Sequence, residues 1–324
     1  FGPTPERIVS QTTAEMSRAD IQADSGHVVA VRDVSFDVVE GEIFCVMGLS
    51  GSGKSTLIRC LTRLIEPTAG QITINGTEVT TMDADTLREL RRNDISMVFQ
   101  RFALFPHRRV VENVAFGLEV RGMASAEREK IALDVLQMVG LNGWEYHYPH
   151  ELSGGMQQRV GLARALAVDP DVLLCDEPFS ALDPLIRREM QDELLRLQKT
   201  LNKTIVFITH DFLESLKIGD RIAIMKDGEV VQIGTPEEIV ANPINNYVRE
   251  FTKDVPRVKV LTAAAIMQPI SGTLSTQSVE STTTLEKLIP LTATHDEPIT
   301  VTEQGKPVGQ VDRVTVMMAL AEGS

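Results

Sequence analysis

The sequence predicts an α/β fold: a mainly parallel sheet with an antiparallel part, an inserted helical subdomain, and a small C-terminal α+β domain. Three features carry this reading. Residues 43–47, 172–175 and 205–208 are continuous apolar runs of strand length, as strands buried on both faces require, and each leads through glycine or polar residues into helical spacing. Between the first run and the second, residues 111–121, 126–139 and 156–168 have helical periodicity, which marks an insertion over about 101–168. After Pro256 the composition shifts to Thr, Ser and Val, and a second domain begins. The expected divisions are 1–27, a helical extension; 28–256, the main domain; and 257–324, the tail.

Each element has its own local cause. Residues 5–24 are polar with helical character. Residues 29–31 and 34–38 alternate as strands do, and Gly41-Glu42 turns the chain. The run 43–47 enters a glycine loop, after which Leu57, Ile58, Leu61 and Leu64 predict a helix over 54–64. A strand over 95–99 precedes Gln100. The run 172–175 ends in Asp176-Glu177, and Asp183 before Pro184 forms an N-cap for a helix over 185–201. The strand 205–209 ends at His210. Asp227-Gly228 between two apolar runs is a hairpin signal, and short helices follow at 236–241 and 245–251. The tail reads as strand, turn, strand and helix over 299–320.

The chain has 324 residues, 43% hydrophobic and 24% charged, enough to bury a full core. A formal net charge of −13 argues against a general nucleic-acid binder, which must neutralise phosphates over a broad basic surface. Apolar runs stay short of the roughly 18 residues that a membrane-spanning helix needs, so any membrane contact is expected to be peripheral. Cys45, Cys60 and Cys175 sit in apolar stretches without metal-ligand spacing and read as buried thiols, which fits the cytosol. The sequence starts at Phe1 without a methionine, so residues upstream are expected to be missing.

The glycine loop carries the most specific chemistry. Residues 48–55 read GLSGSGKS, with Gly48, Ser50, Gly51, Ser52 and Gly53 shaping a loop whose backbone amides wrap phosphates. Lys54 reaches the β/γ oxygens and Ser55 offers a hydroxyl to Mg²⁺. Adjacent carboxylates at a strand end suit a metal ligand, Asp176, followed by a water-activating base, Glu177. His210 can hydrogen-bond a γ-phosphate oxygen or the attacking water, although a strand-end histidine is more often a surface residue. Gln100 can touch both metal and water; alone it carries almost no information. About a hundred residues after the loop, LSGGMQQR at 152–159 is also glycine-rich and opens a helix, a second anion-binding N-terminus.

These motifs, in this order and spacing, resemble the nucleotide-binding subunit of an ATP-binding cassette (ABC) transporter over roughly 28–251. The resemblance implies a P-loop NTPase fold in which 48–56, including Thr56, is the Walker A loop and Gln100 the Q-loop. Residues 152–157, with Ser153, Gly154, Gly155 and Gln157, become the signature; 173–177 the Walker B strand; 180–183 the D-loop; and His210 the switch histidine. It also implies a head-to-tail homodimer sharing two ATP and Mg²⁺ sites, two transmembrane permease subunits, and a substrate-binding protein reached through the permease. The family's place is the cytoplasmic face of the bacterial inner membrane.

The wording MGLSGSGKST, LIEPTAGQITING and VFQRFALFPHRRVVENVAFGLEVRG is similar to importers of glycine betaine, proline betaine, choline and related osmolytes, trimethylamine N-oxide among them. Their long N-terminal segment makes Phe1 the candidate that stacks on adenine; otherwise it is a truncation point. The tail resembles one cystathionine-β-synthase (CBS) motif where relatives carry a tandem pair. A sensor of ionic strength or nucleotide and a packing or dimerising tail stay open. The competing function is a non-transport cassette ATPase acting on nucleic acid or ribosomes, which usually needs a coiled-coil insertion or twin cassettes; neither is visible here.

Overall fold

The computed structural model describes residues 1–2, 4–9, 16–100, 102–271, 275, 277–295 and 297–321. Residues 10–15 of the predicted N-terminal helix, residue 101 at the start of the predicted insertion, and residues 272–274, 276, 296 and 322–324 of the tail lie outside the described residues. The chain divides into two compact units, 1–230 and 231–324.

The first unit begins with α1 (Pro5–Val9), α2 (Arg18–Ser25), β1 (Ile43–Gly48) and α3 (Lys54–Leu61). A two-residue antiparallel pair, β2 (Thr73–Ile74) and β3 (Thr77–Glu78), leads to α4 (Ala84–Asn93) and β4 (Ile95–Val98). The helical insertion holds α5 (Val110–Val114), α6 (Phe116–Val120), α7 (Ser125–Met138) and α8 (Gly154–Ala167). Then come β5 (Val172–Asp176), α9 (Pro184–Leu201), β6 (Thr204–Thr209), α10 (Phe212–Ile218), β7 (Arg221–Lys226) and β8 (Glu229–Gly234), inside which the unit boundary falls. Positive φ at both Asp227 (51°) and Gly228 (88°) makes the β7–β8 connection the tight turn that Asp-Gly favours.

Among the described residues, the main sheet has six strands in the order β4-β5-β6-β1-β7-β8. Strands β4, β5, β6, β1 and β7 pair in parallel. Phe44, Cys45, Leu173, Leu174, Ile205, Phe207, Ile222 and Ile224 are all buried, which explains why these strands are apolar on both faces. Register then places the chemistry. Val98 lies opposite Cys175, Asp176 opposite Ile208, and Ile208 opposite Val46, so Gln100, Asp176-Glu177, His210 and Gly48 leave the sheet along one edge. In open α/β sheets that carboxyl edge is where ligands bind.

Three local expectations are corrected. Residues 29–31 and 34–38 form no regular strand; a left-handed Asp33 (φ 47°) interrupts them, and Phe36 is instead held by stacking on Phe44 at 4.9 Å. The helix predicted over 54–64 stops at Leu61, because Arg63 turns left-handed (φ 52°) and leaves Leu64 exposed. The helix predicted over 111–121 is two short helices that meet at Ala115.

The second unit continues with α11 (Pro236–Ala241), α12 (Asn246–Thr252), α13 (Arg257–Val260), α14 (Ala263–Ile266), β9 (Ser278–Glu280), α15 (Leu285–Thr294), β10 (Ile299–Glu303), β11 (Lys306–Val311) and α16 (Arg313–Ala321). Its sheet has the order β11-β10-β9, with β10–β11 antiparallel and β10–β9 parallel. Helix α11 packs on α12, α13 and α14, which draws the segment before Pro256 in with the tail and puts the division N-terminal to the one read from composition.

Candidate functional site

The site grows from the end of β1. Gly48 lies so close to the neighbouring strand that a Cβ there would be 2.4 Å from Met225 O. Gly53 needs glycine twice over, with φ 104° and an ideal Cβ 2.3 Å from Ala30 O. As N-cap, Gly53 gives α3 no side-chain cap, so the first amides of α3 are left for an anion. Ser52 Oγ is buried without a hydrogen-bond partner among the described residues, a further donor inside the loop. These features fit an oxyanion-rich ligand.

Lys54 is 4% exposed, and its Nζ donates to Gly48 O (2.7 Å) and Leu49 O (3.1 Å). Burial pulls the Lys54 pKa below the usual lysine range, against the opposing pull of Glu177 and Asp176. Glu177 Oε1 lies 3.7 Å from this ammonium, and Glu177 Oε2 lies 2.9 Å from His210 Nδ1. Glu177 holds a left-handed φ of 47°, and its N–H donates to Ile208 O at 3.0 Å. That backbone state costs about 1–2 kcal/mol for a non-glycine residue. If His210 Nδ1 donates to the carboxylate, a neutral ring leaves Nε2 as an acceptor; donation to a phosphate oxygen from Nε2 then requires the imidazolium.

Ser55 Oγ donates to Asp176 Oδ1 at 2.9 Å. The second oxygen, Asp176 Oδ2, is 3.7 Å from Arg59 Nη2, one helical turn after Ser55. Sequence reasoning did not single out Arg59, although its i+4 spacing from Ser55 put both on one helix face. Ser55 and Asp176 together form an oxygen-only donor pair, the kind that suits Mg²⁺.

The remaining predicted residues lie elsewhere. Gln100 is exposed just beyond β4, and Thr56 continues the first turn of α3. Ser50 and Gly51 form the exposed tip of the loop, where Arg18 of α2 donates to Gly51 O at 3.0 Å; no pattern in the sequence indicated that contact. Ser153 caps α8 by accepting from Met156 N at 3.3 Å, and Gln157 Nε2 donates to Leu152 O at 3.1 Å. Gly154 has Phe102 and Leu182 as near neighbours, and Gly155 is buried against Ile186. Asp183 caps α9 through Leu185 N and Ile186 N, both at 3.1 Å. Phe1 is 59% exposed and exchanges two backbone hydrogen bonds with Val28, two residues before the Ala30 that lies against Gly53.

Comparison with known proteins bears on this arrangement. Residues 31–180 match the family model described as ABC transporter. The chain is 59% identical over 268 residues to the glycine betaine transport ATP-binding protein OpuAA of Bacillus subtilis, covering 83% of this chain and 64% of that protein. It is 50% identical over 313 residues to the trimethylamine N-oxide transport system ATP-binding protein TmoW of Pelagibacter ubique, covering 96% of this chain and 92% of TmoW. Among solved structures, the dimeric post-hydrolysis state of the ATP-binding cassette MJ0796 bound to ADP and Pi superposes with a TM-score of 0.59. It is 39% identical, over 64% of this chain and 90% of that one.

Proposed function

This chain belongs to the ATP-binding proteins of ABC transporters, and we propose that it hydrolyses MgATP to energise import of a quaternary-amine or related osmolyte. The observation that carries the hydrolytic part is the meeting of Lys54, Ser55, Asp176, Glu177 and His210 at the ends of three parallel strands. The osmolyte class comes from relatives that carry glycine betaine and trimethylamine N-oxide in their names.

The chain's own groups divide the work. Loop amides and Lys54 hold the triphosphate, so Lys54 must exchange its contacts to Gly48 O and Leu49 O for phosphate oxygens. Ser55 and Asp176 hold Mg²⁺, with Gln100 serving it directly or through water. An ion held there would supply positive charge to neutralise the phosphates. Glu177 orients and deprotonates the attacking water, and His210 steadies the γ-phosphate. Phe1 stacks on adenine.

Two chains complete the site. Ser153, Gly154 and Gly155 of one chain close over the nucleotide held by the other, with Gln157 and Asp183 at the same interface; the dimeric solved cassette bound to ADP and Pi supports this reading. Transmission to two permease subunits runs through residues 102–105. Arg164 of α8 donates to Ala103 O (2.6 Å) and Phe102 O (3.2 Å), so movement of α8 is passed to that segment. The protein then sits peripherally on the cytoplasmic membrane face; among the described residues no helix is long and apolar enough to cross a membrane. Residues 257–324 form a CBS-like regulatory or dimerising domain, supported by the run β9, α15, β10, β11, α16.

The test is reconstitution with the permease in vesicles. ATP-dependent accumulation of labelled betaine, choline or trimethylamine N-oxide is expected, with Phe105→Ala lowering uptake per ATP hydrolysed while nucleotide binding stays intact. ATP turnover without uptake of any of these solutes would reject the osmolyte reading.

A further inference from the structure

A buried carboxylate behind the site has no role in the chemistry described above. Glu214, in the first turn of α10, is 6% exposed. Its Oε2 accepts a hydrogen bond from Thr209 Oγ1, and its Oε1 accepts from Gln191 Nε2 at 2.9 Å. Thr209 and Gln191 are buried as well. Burying a carboxylate is costly unless its lone pairs are met by donors, and an apolar side chain would fill the same space without that cost. Packing alone therefore gives no reason for an acid here.

The geometry of its neighbours does. Thr209 immediately precedes His210, and the same Thr209 Oγ1 accepts from Asp211 N at 2.9 Å. One hydroxyl thus fixes the backbone on both sides of His210, and Glu214 fixes that hydroxyl. Gln191 belongs to α9, the helix capped by Asp183. One turn closer to that cap, Arg187 donates to Phe179 O (3.3 Å) and Leu182 O (3.2 Å), and pairs with Asp211 Oδ2 at 3.5 Å. Helix α9 therefore reaches Asp211 directly through Arg187, Thr209 indirectly through Gln191 and Glu214, and the 179–182 loop through Arg187.

We propose that Glu214 is a positioning residue for hydrolysis: through Thr209 it sets where His210 stands against Glu177, and through Gln191 it locks that setting to the helix that follows Asp183. A change at the 179–183 loop, where the proposed second chain arrives, is thereby relayed to His210 through hydrogen bonds rather than through the sheet. The inference rests on reading Glu177 and His210 as the hydrolytic pair.

The test uses the full chain. ATPase kcat and KM, binding of a fluorescent ATP analogue and thermal melting are compared for the wild type, Glu214→Ala, Glu214→Gln, Thr209→Val and the Glu214→Ala/Thr209→Val double variant. Misplacement of a reacting group costs on the order of tenfold to a hundredfold, so kcat is expected to fall by about that factor in Glu214→Ala and in Thr209→Val. KM and analogue binding stay near wild type, and the double variant falls no further than the worse single one. Glu214→Gln, which keeps an acceptor for Thr209, restores most of kcat. Should Glu214→Ala melt below the assay temperature, Thr209→Val and Glu214→Gln carry the same comparison. Additive losses, or a Gln variant as slow as the Ala variant, would overturn the positioning role, as would wild-type kcat in a folded Glu214→Ala. A wild type that does not turn over ATP would overturn this inference and the hydrolysis reading together, whereas the other outcomes leave hydrolysis standing.

Discussion

Two glycine-rich helix starts in one chain are built for different tasks. Helix α3 begins behind Gly53, which offers no side chain to its amides, and has a buried Lys54 with Asp176, Glu177 and His210 gathered around it. Helix α8 begins behind Ser153, whose own hydroxyl already caps Met156 N, and the near neighbours of Gly154 and Gly155 are Phe102, Leu182 and Ile186. The first start has unmet donors, a cation, two acids and an imidazole, so it can hold a triphosphate and organise a reaction. Among the described residues, the second brings a hydroxyl and a helix dipole on an exposed edge, which suits it to finish an anion site rather than to make one. A helix N-terminus is not by itself a nucleotide site; the groups that the fold gathers beside it decide.

The largest effect belongs to Glu177→Gln, where loss of the proposed general base should lower kcat by about 10²–10⁴. ATP-driven dimers should persist in size-exclusion chromatography, and hydrolysis at the wild-type rate would remove Glu177 from the mechanism. Lys54→Ala strips the first start of its cation and leaves Glu177 without that partner. A loss of about 10²–10³ in kcat/KM is expected, with nucleotide binding weakened in the isolated monomer.

Ser153→Ala sharpens the contrast, since it should leave monomeric nucleotide binding unchanged. Loss of the cap costs about 1 kcal/mol, and weaker ATP-driven dimerisation should appear in sedimentation; weakened binding in the monomer would mean that the two starts serve one nucleotide.

The smallest effect is a pH dependence. Burial raises the Glu214 carboxyl above the usual range, joined by the Asp211 charge, while hydrogen bonds from Thr209 and Gln191 and the Arg187 charge pull the other way. A raised folded pKa means that ionisation is disfavoured in the native state, so stability is full below the ordinary glutamate pKa and is lost as pH rises through the raised value. Glu214→Gln should therefore melt higher than wild type at neutral pH, by roughly 2–4 °C per kcal/mol relieved. The gap should close in acid, and a gap that widens there would contradict the sign.

Much of the first unit was legible because its signals are local. A strand buried on both faces must be apolar throughout, so 43–47, 172–175 and 205–208 stood out, and GLSGSGKS and Asp-Gly carry backbone geometry in their residue types. The contacts of the helical insertion and the true end of α3 were less legible. Leu64 kept the helical period, yet a left-handed Arg63, whose guanidinium reaches Val79 O and Met82 O, ends the helix before it. Residues 29–38 alternated like strands but form no regular strand, and alternation describes a side-chain pattern without supplying a neighbouring strand.

From the sequence alone came the phosphate loop, the acid pair, the strand-end histidine and the order in which they occur, since each is a short-range demand on residue type and spacing. Tertiary structure decided which of them meet. Parallel register brings Gly48, Asp176 and His210 to one edge across separations of more than a hundred residues between the first and the others. It also placed Arg59 on Asp176, Arg18 on the loop tip and Glu214 behind His210, contacts for which the local sequence has no code. Pairing across a sheet and between helices depends on packing and on which polar groups must be satisfied when buried, and those conditions exist only once the chain is folded.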